Sequence, residues 1–248
     1  MKHIPAFITV RTKSSRLPEK CFLPFGKVTV LEHVIDRCIF YKLEPIICTT
    51  ELASDDRIVE LALSKNVKVF RGSSINKLER WRDCCREYNL NSFHSVDADD
   101  PFFCGEEVRR SYSTLLDGGF DMVSPSPSSS QGGATVGYSL TKDIIEKACK
   151  DLSTDTDTEM MWSFLERVKG INKAELSDPE HFAITQRMTL DYNEDYILLK
   201  AIRLILGQNP SRKDIYLLHK NNPNLSDINN FRNEEWAENQ KNKMFKEL

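Results

Sequence analysis

The sequence predicts an α/β fold of three layers, α/β/α, in which helices cover both faces of a mostly parallel sheet. Two observations predict this class. Short apolar runs of strand length alternate with longer segments that carry apolar residues at helical spacing, as far as residue 100. Such alternation is typical of parallel sheets whose strands are connected by helices. The length of 248 residues is also sufficient for a large domain with a buried core.

In the first half of the chain, strands and helices are predicted to alternate regularly. The predicted strands are 5–10, 45–49, 67–70 and 92–96, and the predicted helices are 30–41, 54–65 and 77–88. The second helix begins with Asp55 and Asp56, as the positive end of a helix dipole prefers. Ligands of parallel sheets bind beyond the carboxyl ends of the strands. We therefore expect a site at the loops that follow the first and fourth strands.

The second half of the chain is less regular. The predicted strands are 121–124, 135–139 and 188–190, and the predicted helices are 106–116, 142–150, 158–169 and 195–206. Residues 124–133 are rich in Ser, Pro and Gly, which predicts a loop. The chain turns polar near Pro210. We therefore predict one main domain at residues 1–208, which would carry the activity, and a polar C-terminal extension at 209–248.

Composition narrows the classes of partner and compartment. The formal net charge of -3 gives no global field that would favour nucleic acid or an anionic membrane. The first apolar run stops at Arg11 and is too short for a signal peptide or a membrane span. The seven cysteines are odd in number and form no C-x-x-C pair, which favours a reducing compartment. We expect a cytoplasmic protein without a nucleic-acid or membrane partner.

The first chemical signal is the loop from Arg11 to Lys20, which directly follows the first strand. It holds four cations and three hydroxyl side chains within ten residues. Hydroxyls and backbone N–H groups can donate hydrogen bonds to a polyphosphate, while Arg and Lys neutralise its charge. A solvated basic loop is the alternative, and the position at the end of a strand favours phosphate binding. The loop lacks the glycines of a Walker A or dinucleotide-binding turn.

The second signal is the acidic run Asp97-Ala98-Asp99-Asp100-Pro101, which ends the fourth predicted strand. Three carboxylates this close repel one another unless positive charge lies nearby. Magnesium commonly binds through one or two carboxylates together with substrate phosphates, so an acidic run opposite a basic loop suits a metal–nucleotide site. Asp-Asp-Pro is also good turn chemistry, and the run alone leaves both interpretations open.

The third signal is Asp191, which follows the predicted strand 188–190 and precedes a predicted helix. It is either the N-cap of that helix or a second carboxylate for the same metal. The residues alone slightly favour the cap.

Five motifs in this order resemble those of the cytidylyltransferases of the CMP-Kdo and CMP-sialic acid synthetase superfamily. The similarity is greatest to the branch of spore-coat polysaccharide cytidylyltransferases. Residues 11–20 match the family pattern R-x-x-S-x-R-L-P-x-K in full. The further matches are Val69-Phe70-Arg71-Gly72, Leu78-Glu79-Arg80-Trp81, Ala98-Asp99-Asp100-Pro101, and Thr189-Leu190-Asp191 with Glu194-Asp195. Together they span residues 4–206.

This resemblance implies a fold like that of the nucleotide-diphospho-sugar transferases and a magnesium-dependent transfer of CMP from CTP, with release of pyrophosphate. It implies that Asp99 and Asp191 hold Mg²⁺ and that Arg11, Lys20 and Asp99 act in catalysis. It also implies contacts to CTP from the first loop and from the turn after the third strand. These nucleotide-binding residues are Arg11, Ser14, Ser15, Arg16, Lys20, Arg71, Gly72 and Ser73. Family members often form homodimers, and a homodimer is expected here.

The acceptor is expected to bind at Gln131, Gly132 and Gly133, which begin a glycine-containing segment similar to that of the family. The chain departs from the family pattern on this side. Gly137 stands where the family usually has Glu, and the segment 157–159 lacks the family's histidine. We therefore expect a sugar-acid-like or other acidic small acceptor, with a modified sugar acid or a phosphonate as the hypothesis.

Two other functions remain in competition. Asp97-Ala98-Asp99 fits the D-x-D metal motif of a GT-A-type glycosyltransferase, which would use a nucleotide-sugar and release no pyrophosphate. The basic loop 11–20 and the small size oppose that interpretation. A non-catalytic nucleotide-binding sensor would suit the altered acceptor side, but the presence of both Asp99 and Asp191 opposes it.

Overall fold

The middle layer of the fold is a mixed β-sheet. The computed structural model describes residues 3–14, 16–179 and 181–246, with side chains as far as residue 240. Within these residues the strands form one seven-stranded sheet and a separate two-stranded hairpin. The strands are β1 (Pro5–Thr9), β2 (Pro24–Phe25), β3 (Val28–Thr29), β4 (Glu44–Thr50), β5 (Lys68–Gly72), β6 (Ser92–Asp97), β7 (Met122–Ser124), β8 (Ser139–Thr141) and β9 (Lys173–Glu175).

Helices connect the strands of the sheet, and three further helices come after its last strand along the described chain. They are α1 (Val30–Phe40), α2 (Asp56–Ser64), α3 (Lys77–Glu87), α4 (Gly105–Asp117), α5 (Lys142–Cys149), α6 (Met161–Glu166), α7 (Asn193–Leu206), α8 (Arg212–Asn221) and α9 (Arg232–Lys246). Shorter helical turns lie at Lys20–Phe22, Ala53–Asp55, Ser129–Gly133 and Pro223–Ile228. Across the described ranges, each helix is too short or too polar to cross a membrane.

The strand order places the ends of β1 and β6 side by side. The order across the sheet is β5-β4-β1-β6-β8-β7-β9. The chain runs from β1 outward through β4 and β5, and then returns to place β6 on the other side of β1, with all four strands parallel. Thr9 and Asp97 are partners in the register of β1 and β6. The loops after these two strands therefore leave the sheet at its topological switch point, where ligands of such sheets bind.

Two apolar cores lie on opposite faces of this sheet, and successive side chains of β1 contribute alternately to one core and to the other. Ala6 and Ile8 pack on α1, α2 and α4, whereas Phe7 packs on α3, α5 and α6. The Phe7 ring stacks on Phe93 with a centroid distance of 4.1 Å. Because successive side chains of a strand point to opposite faces, this pattern confirms the predicted three-layer α/β/α arrangement. All seven cysteines, each within the described residues, are buried free thiols.

The sequence-based predictions were wrong at several places in the second half. Strand β9 was not predicted, and the predicted loop 124–133 contains the helical turn Ser129–Gly133. The strand predicted at 135–139 lies at Ser139–Thr141, and helix 158–169 is confined to Met161–Glu166. Residues 188–190 are not a strand. Isolated backbone hydrogen bonds hold that segment instead, from Met188 N to Gly132 O at 2.9 Å and from Leu190 N to Asp99 O at 2.7 Å. One hydrogen bond to each of two different loops fixes this segment, and no β-ladder forms. The apolar character of residues 188–190 therefore does not distinguish a strand from an extended segment of this kind.

A third apolar cluster joins α7 and α8 to the rest of the fold. Leu198 and Ile202 of α7 and Ile215 of α8 pack with Phe25 of the β2–β3 hairpin. Arg212, at the start of α8, forms a buried ion pair with Glu107 of α4, with Nη1 2.7 and 2.6 Å from the two carboxylate oxygens. The domain boundary at residue 208 stays a prediction, but α8 beyond it is packed on the domain.

Arg212→Met is expected to lower the free energy of unfolding by about 3–5 kcal/mol, because it leaves the Glu107 carboxylate buried without its partner. The double variant Arg212→Met/Glu107→Leu is expected to recover most of that loss. The measurement is urea denaturation at neutral pH. Lys68→Ala, which breaks the exposed pair with Glu44, is the control and should cost less than about 1 kcal/mol. An Arg212→Met loss as small as the control's would contradict this account.

Candidate active site

A cavity of about 650 Å³ opens at the carboxyl ends of β1 and β6. Its lining comes from the loop after β1, the acidic run after β6, the segments 125–138 and 159–162, Thr189 and Asp191, and two residues of α9. A volume of this size is typical of small-molecule and cofactor pockets. The switch point of the sheet therefore holds a ligand-sized cavity between the basic loop and the acidic run.

The start of the basic loop is fixed by Asp55, a carboxylate that is only 1% exposed. Its Oδ1 accepts hydrogen bonds from Thr12 N at 2.9 Å and from Thr12 Oγ1 at 2.6 Å. Its Oδ2 accepts from the hydroxyls of Thr49 and Thr50 at the end of β4. Burial alone would raise the pKa of Asp55, but these hydrogen bonds hold it below its ordinary value. Asp55 thus ties the loop to the sheet.

The end of the same loop places Lys20 between two carboxylates. Lys20 Nζ lies 2.7 Å from Asp99 Oδ2 and 3.0 Å from Asp191 Oδ1. The Arg16 guanidinium also donates to Asp191 Oδ1, at 2.6 Å. Burial alone would raise the pKa of Asp191, but the charges of Lys20 and Arg16 hold it well below its ordinary value. The basic loop and the two predicted metal-binding carboxylates therefore meet at one point.

A buried hydrogen-bond network of Arg187 and Asp195 also fixes Asp191. Arg187, whose side chain is fully buried, donates to Asp191 Oδ2 at 3.2 Å and to both oxygens of Asp195. Asp195 in turn accepts from the backbone N–H groups of Asp191 and Tyr192, each at 2.9 Å. Asp195 thereby caps the start of α7. Asp191 precedes that cap and does not form it, so its carboxylate faces the cavity with a fixed orientation.

The donor set around Asp99 and Asp191 fits a divalent cation that also binds phosphate. Across the described part of the chain, no group of three or more His, Cys, Asp and Glu side chains is arranged to hold a metal unaided. Asp99 and Asp191 nevertheless converge on one cation, the Lys20 ammonium. Burial, together with the charges of Asp99 and Asp97, raises the pKa of Asp100 well above its ordinary value. Two carboxylates plus phosphate oxygens are a common ligand set for Mg²⁺.

Three further cations line the cavity, one in the basic loop and two on α3. Lys77 is buried and pairs with Asp97 at 3.0 Å, and Arg11 pairs with Glu159 at 3.1 Å. Arg80 is 3% exposed, donates to the carbonyl oxygen of Ser73, and leaves its Nε buried without a hydrogen-bond partner. Burial lowers the pKa of Arg80. A buried guanidinium with an unsatisfied donor favours a ligand that brings negative charge or acceptor atoms.

The structure brings most, but not all, of the predicted site residues to this cavity. Those that line it are Arg11, Ser14, Arg16, Lys20, Asp99, Gly132 and Asp191. Those that do not are Arg71, Gly72, Ser73, Gln131 and Gly133. Ser15 lies outside the described residues.

Local hydrogen bonds explain why residues 71–73 stay away from the cavity. These residues do not form the predicted turn, because Arg71 and Gly72 end β5 and pair with β4, and only Ser73 follows the strand. The Arg71 guanidinium donates to Thr50 O at 3.0 Å and Leu52 O at 2.9 Å, and pairs with Asp56 at 2.7 Å. Ser73 Oγ accepts from Asn76 N just before α3. These side chains serve the backbone around them, and sequence spacing does not show such partners.

Two glycines shape the predicted acceptor side. Gly132 has a φ of +101° and lines the cavity, a conformation that favours glycine. A Cβ placed on Gly137 would lie 2.0 Å from the carbonyl oxygen of Ser95. The position where the family usually has Glu therefore has no room for any side chain in this chain.

Sequence reasoning assigned no role in the site to Asp55, Lys77, Arg187 or Asp195, although Asp195 lies in one of the matched motifs. Asp55 was interpreted only as part of a helix start, and its hydrogen bonds to Thr12 reach 43 positions back along the chain. Arg187 lies four residues before Asp191, a short-range signal that could have indicated the pair. The contacts of Asp195 to the backbone of Asp191 and Tyr192 are equally short-range, whereas the contact of Lys77 with Asp97 depends on how α3 packs on the sheet.

The chain is similar to known proteins in both sequence and fold. Residues 6–195 match the sequence model of a family described as Cytidylyltransferase. The chain is 25% identical over 238 residues to the spore coat polysaccharide biosynthesis protein SpsF of Bacillus subtilis, covering 91% of this chain and 98% of that protein.

Two solved structures share the fold. A cytidylyltransferase from Leptospira borgpetersenii superposes with a TM-score of 0.80 at 25% identity, covering 91% of this chain and 97% of its own. The structure of CMP:2-keto-3-deoxy-manno-octonic acid synthetase complexed with CTP superposes with a TM-score of 0.65 at 14% identity, covering 82% and 99% respectively. The central sheet and its helices therefore form a nucleotidyltransferase fold.

Asp55→Asn is expected to lower the free energy of unfolding by about 1–3 kcal/mol at pH 7, because the amide cannot accept all four hydrogen bonds. The folded pKa of Asp55 lies below the unfolded value of about 3.9. The stabilisation is therefore present above about pH 4 and is lost as the pH falls through the folded pKa. Urea denaturation of both proteins from pH 7 to about pH 3 should show the difference shrinking. A difference that stays constant with pH would rule out the ionised carboxylate as its source.

Proposed function

This chain belongs to the cytidylyltransferase family, and from that premise we propose that it transfers CMP from CTP to a sugar-acid-like or other acidic small acceptor. Pyrophosphate is the second product. The proposal includes a requirement for Mg²⁺ and a role in polysaccharide biosynthesis. A cytoplasmic location, a homodimer, and the absence of nucleic-acid and membrane partners remain expectations from sequence.

The observation that carries this proposal is the convergence of Lys20, Asp99 and Asp191 at the switch point of the sheet. One ammonium and two carboxylates meet within 3.0 Å. Arg16 adds a second cation to the same carboxylate. Cations suit a triphosphate, and paired carboxylates suit the metal that accompanies it, so both halves of a metal–nucleotide complex have partners here.

In the reaction, a hydroxyl oxygen of the acceptor attacks the α-phosphorus of CTP and gives up its proton to solvent. The bond from that phosphorus to the oxygen that bridges to the β-phosphate breaks, and pyrophosphate leaves with those electrons. Negative charge grows on the transferred and departing phosphates, and Arg11, Arg16 and Lys20 lie where they can neutralise it. Asp55 already fixes the start of the loop, so that part needs little reorganisation when the nucleotide enters. Lys20 and Arg16 would turn from the two carboxylates to phosphate oxygens when a metal takes their place.

Asp99 and Asp191 are the residues that would hold the metal ion. When bound, Mg²⁺ supplies charge neutralisation to phosphate oxygens and lowers the pKa of a hydroxyl that it polarises. The chain's own contribution is to orient the two carboxylates. Arg187 and Asp195 do this for Asp191 through buried hydrogen bonds.

Arg80 supports an acidic acceptor. It lines the cavity with a buried Nε that lacks a protein partner, and Lys77 beside it is already neutralised by Asp97. A carboxylate or phosphonate group would give Arg80 the acceptor oxygens that it lacks.

The direct test is pyrophosphate release from each of the four nucleoside triphosphates with Mg²⁺, against a panel of sugar acids, amino sugars and phosphonates. The expected result is release with CTP and one acidic acceptor class, abolished by EDTA. Tight CTP binding without release for any pair would favour the sensor, and no nucleotide binding would overturn the proposal.

Asp99→Ala is expected to lower the rate of pyrophosphate release about 100-fold or more, because one metal-binding carboxylate is removed. The protein should remain folded, as circular dichroism can check, because Asp99 is partly exposed. Glu60→Ala, an exposed carboxylate on α2, is the matched control and should retain the full rate. Magnesium-dependent turnover by Asp99→Ala at the wild-type rate would refute the metal role.

A further inference from the structure

Helix α9 contributes two side chains to the wall of the cavity. Trp236 and Gln240 both line it, together with Gly132 and Asp191. They are four residues apart on one helix, so they lie on the same face. The segment that matches the family model ends at residue 195, and α9 lies beyond it.

The helix is attached to the segment that carries Asp191. Arg232 donates to both carboxylate oxygens of Glu194, at 3.2 and 2.9 Å, and its guanidinium lies 4.9 Å from the centre of the Tyr192 ring. Just before the helix, Asn229 is fully buried and donates to Asp195 Oδ1 and to the carbonyl oxygen of Arg187, each at 2.9 Å. The start of α9 therefore has a defined position relative to Asp191.

Trp236 contacts an anchored neighbour and borders the cavity. Its ring centre lies 5.5 Å from the guanidinium of Arg187, the residue that holds Asp191. The indole is half-buried and borders the cavity. A large aromatic face offers contact area for a flat apolar surface, while a phosphate would find no hydrogen-bond donor on that face.

The chemistry of this wall differs from that of the nucleotide loop. The cations of residues 11–20 suit phosphates, whereas an indole beside the Gln240 amide suits a ring with apolar C–H groups and hydroxyls. A sugar ring has both features: its C–H face packs on an aromatic ring, and its hydroxyls exchange hydrogen bonds with an amide. Gly132, on the predicted acceptor side, lines the same cavity.

We propose that Trp236 and Gln240 determine acceptor specificity, with Trp236 packing on the ring of a sugar acceptor and Gln240 binding its hydroxyls. This inference rests on the proposed function, because it assigns the acceptor to one part of the same cavity. Helix α9 then completes a subsite that the segment matched by the family model does not contain.

The test compares full-length Trp236→Ala, Trp236→Phe and Gln240→Ala with the wild type. Trp236→Ala should raise the KM for the sugar acceptor about 10- to 30-fold and Gln240→Ala about 3- to 10-fold. Trp236→Phe keeps an aromatic face and should raise it less than about threefold. The KM for CTP should stay within about twofold in all three. Glu238→Ala, an exposed position on the same helix, is the control.

A second readout does not need turnover. Sugar acids added to the protein with CTP and EDTA should quench tryptophan fluorescence, and Trp236→Phe should lose that quenching. Equal quenching in both proteins, no quenching by any sugar acid, or an unchanged acceptor KM in Trp236→Ala would overturn the inference. A raised KM for CTP would assign Trp236 to the nucleotide and would overturn it as well.

Failure of the proposed function has a different signature. In that case the wild type itself shows no CTP binding by calorimetry and no pyrophosphate release. Failure of the present inference leaves the wild type active with CTP, and the α9 variants then have the wild-type acceptor KM.

Discussion

The arrangement of the site depends on one buried carboxylate. Asp191 is 2% exposed, and a buried charge is tolerated only when other groups compensate it. Its compensation comes from Lys20 and Arg16 on one side and Arg187 on the other. These cations belong to segments that are far apart in sequence, so satisfying Asp191 draws the basic loop and the start of α7 to the same edge of the sheet.

Other carboxylates organise the surroundings by accepting hydrogen bonds from the backbone. Asp55 fixes the first residues of the basic loop to β4, and Asp195 fixes the turn that carries Asp191. Both are almost completely buried. The result is a set of charges whose directions are fixed before any ligand binds, which is the condition under which electrostatic stabilisation contributes most to a phosphoryl transfer.

Much of the fold could be predicted from sequence because the first half of the chain is locally consistent. The strands at residues 5, 45, 67 and 92 and the helices between them occur where periodicity indicates them. Prediction was weaker after residue 124, where isolated backbone hydrogen bonds and a left-handed turn take the place of regular β-ladders. It was also weaker for residues 71–73, because Arg71 donates hydrogen bonds to nearby carbonyl groups and does not line the cavity.

The sequence by itself determined the fold class, the family, and the residues that carry charge to the ends of β1 and β6, because these depend on local patterns and on strand order. Only the tertiary structure decided which of those charges meet. Lys20 and Asp191 are 171 residues apart, and Trp236 of α9 reaches the cavity only through the packing of Arg232 and Asn229. Contacts of this range arise from the packing of helices on the sheet, and no local pattern encodes them.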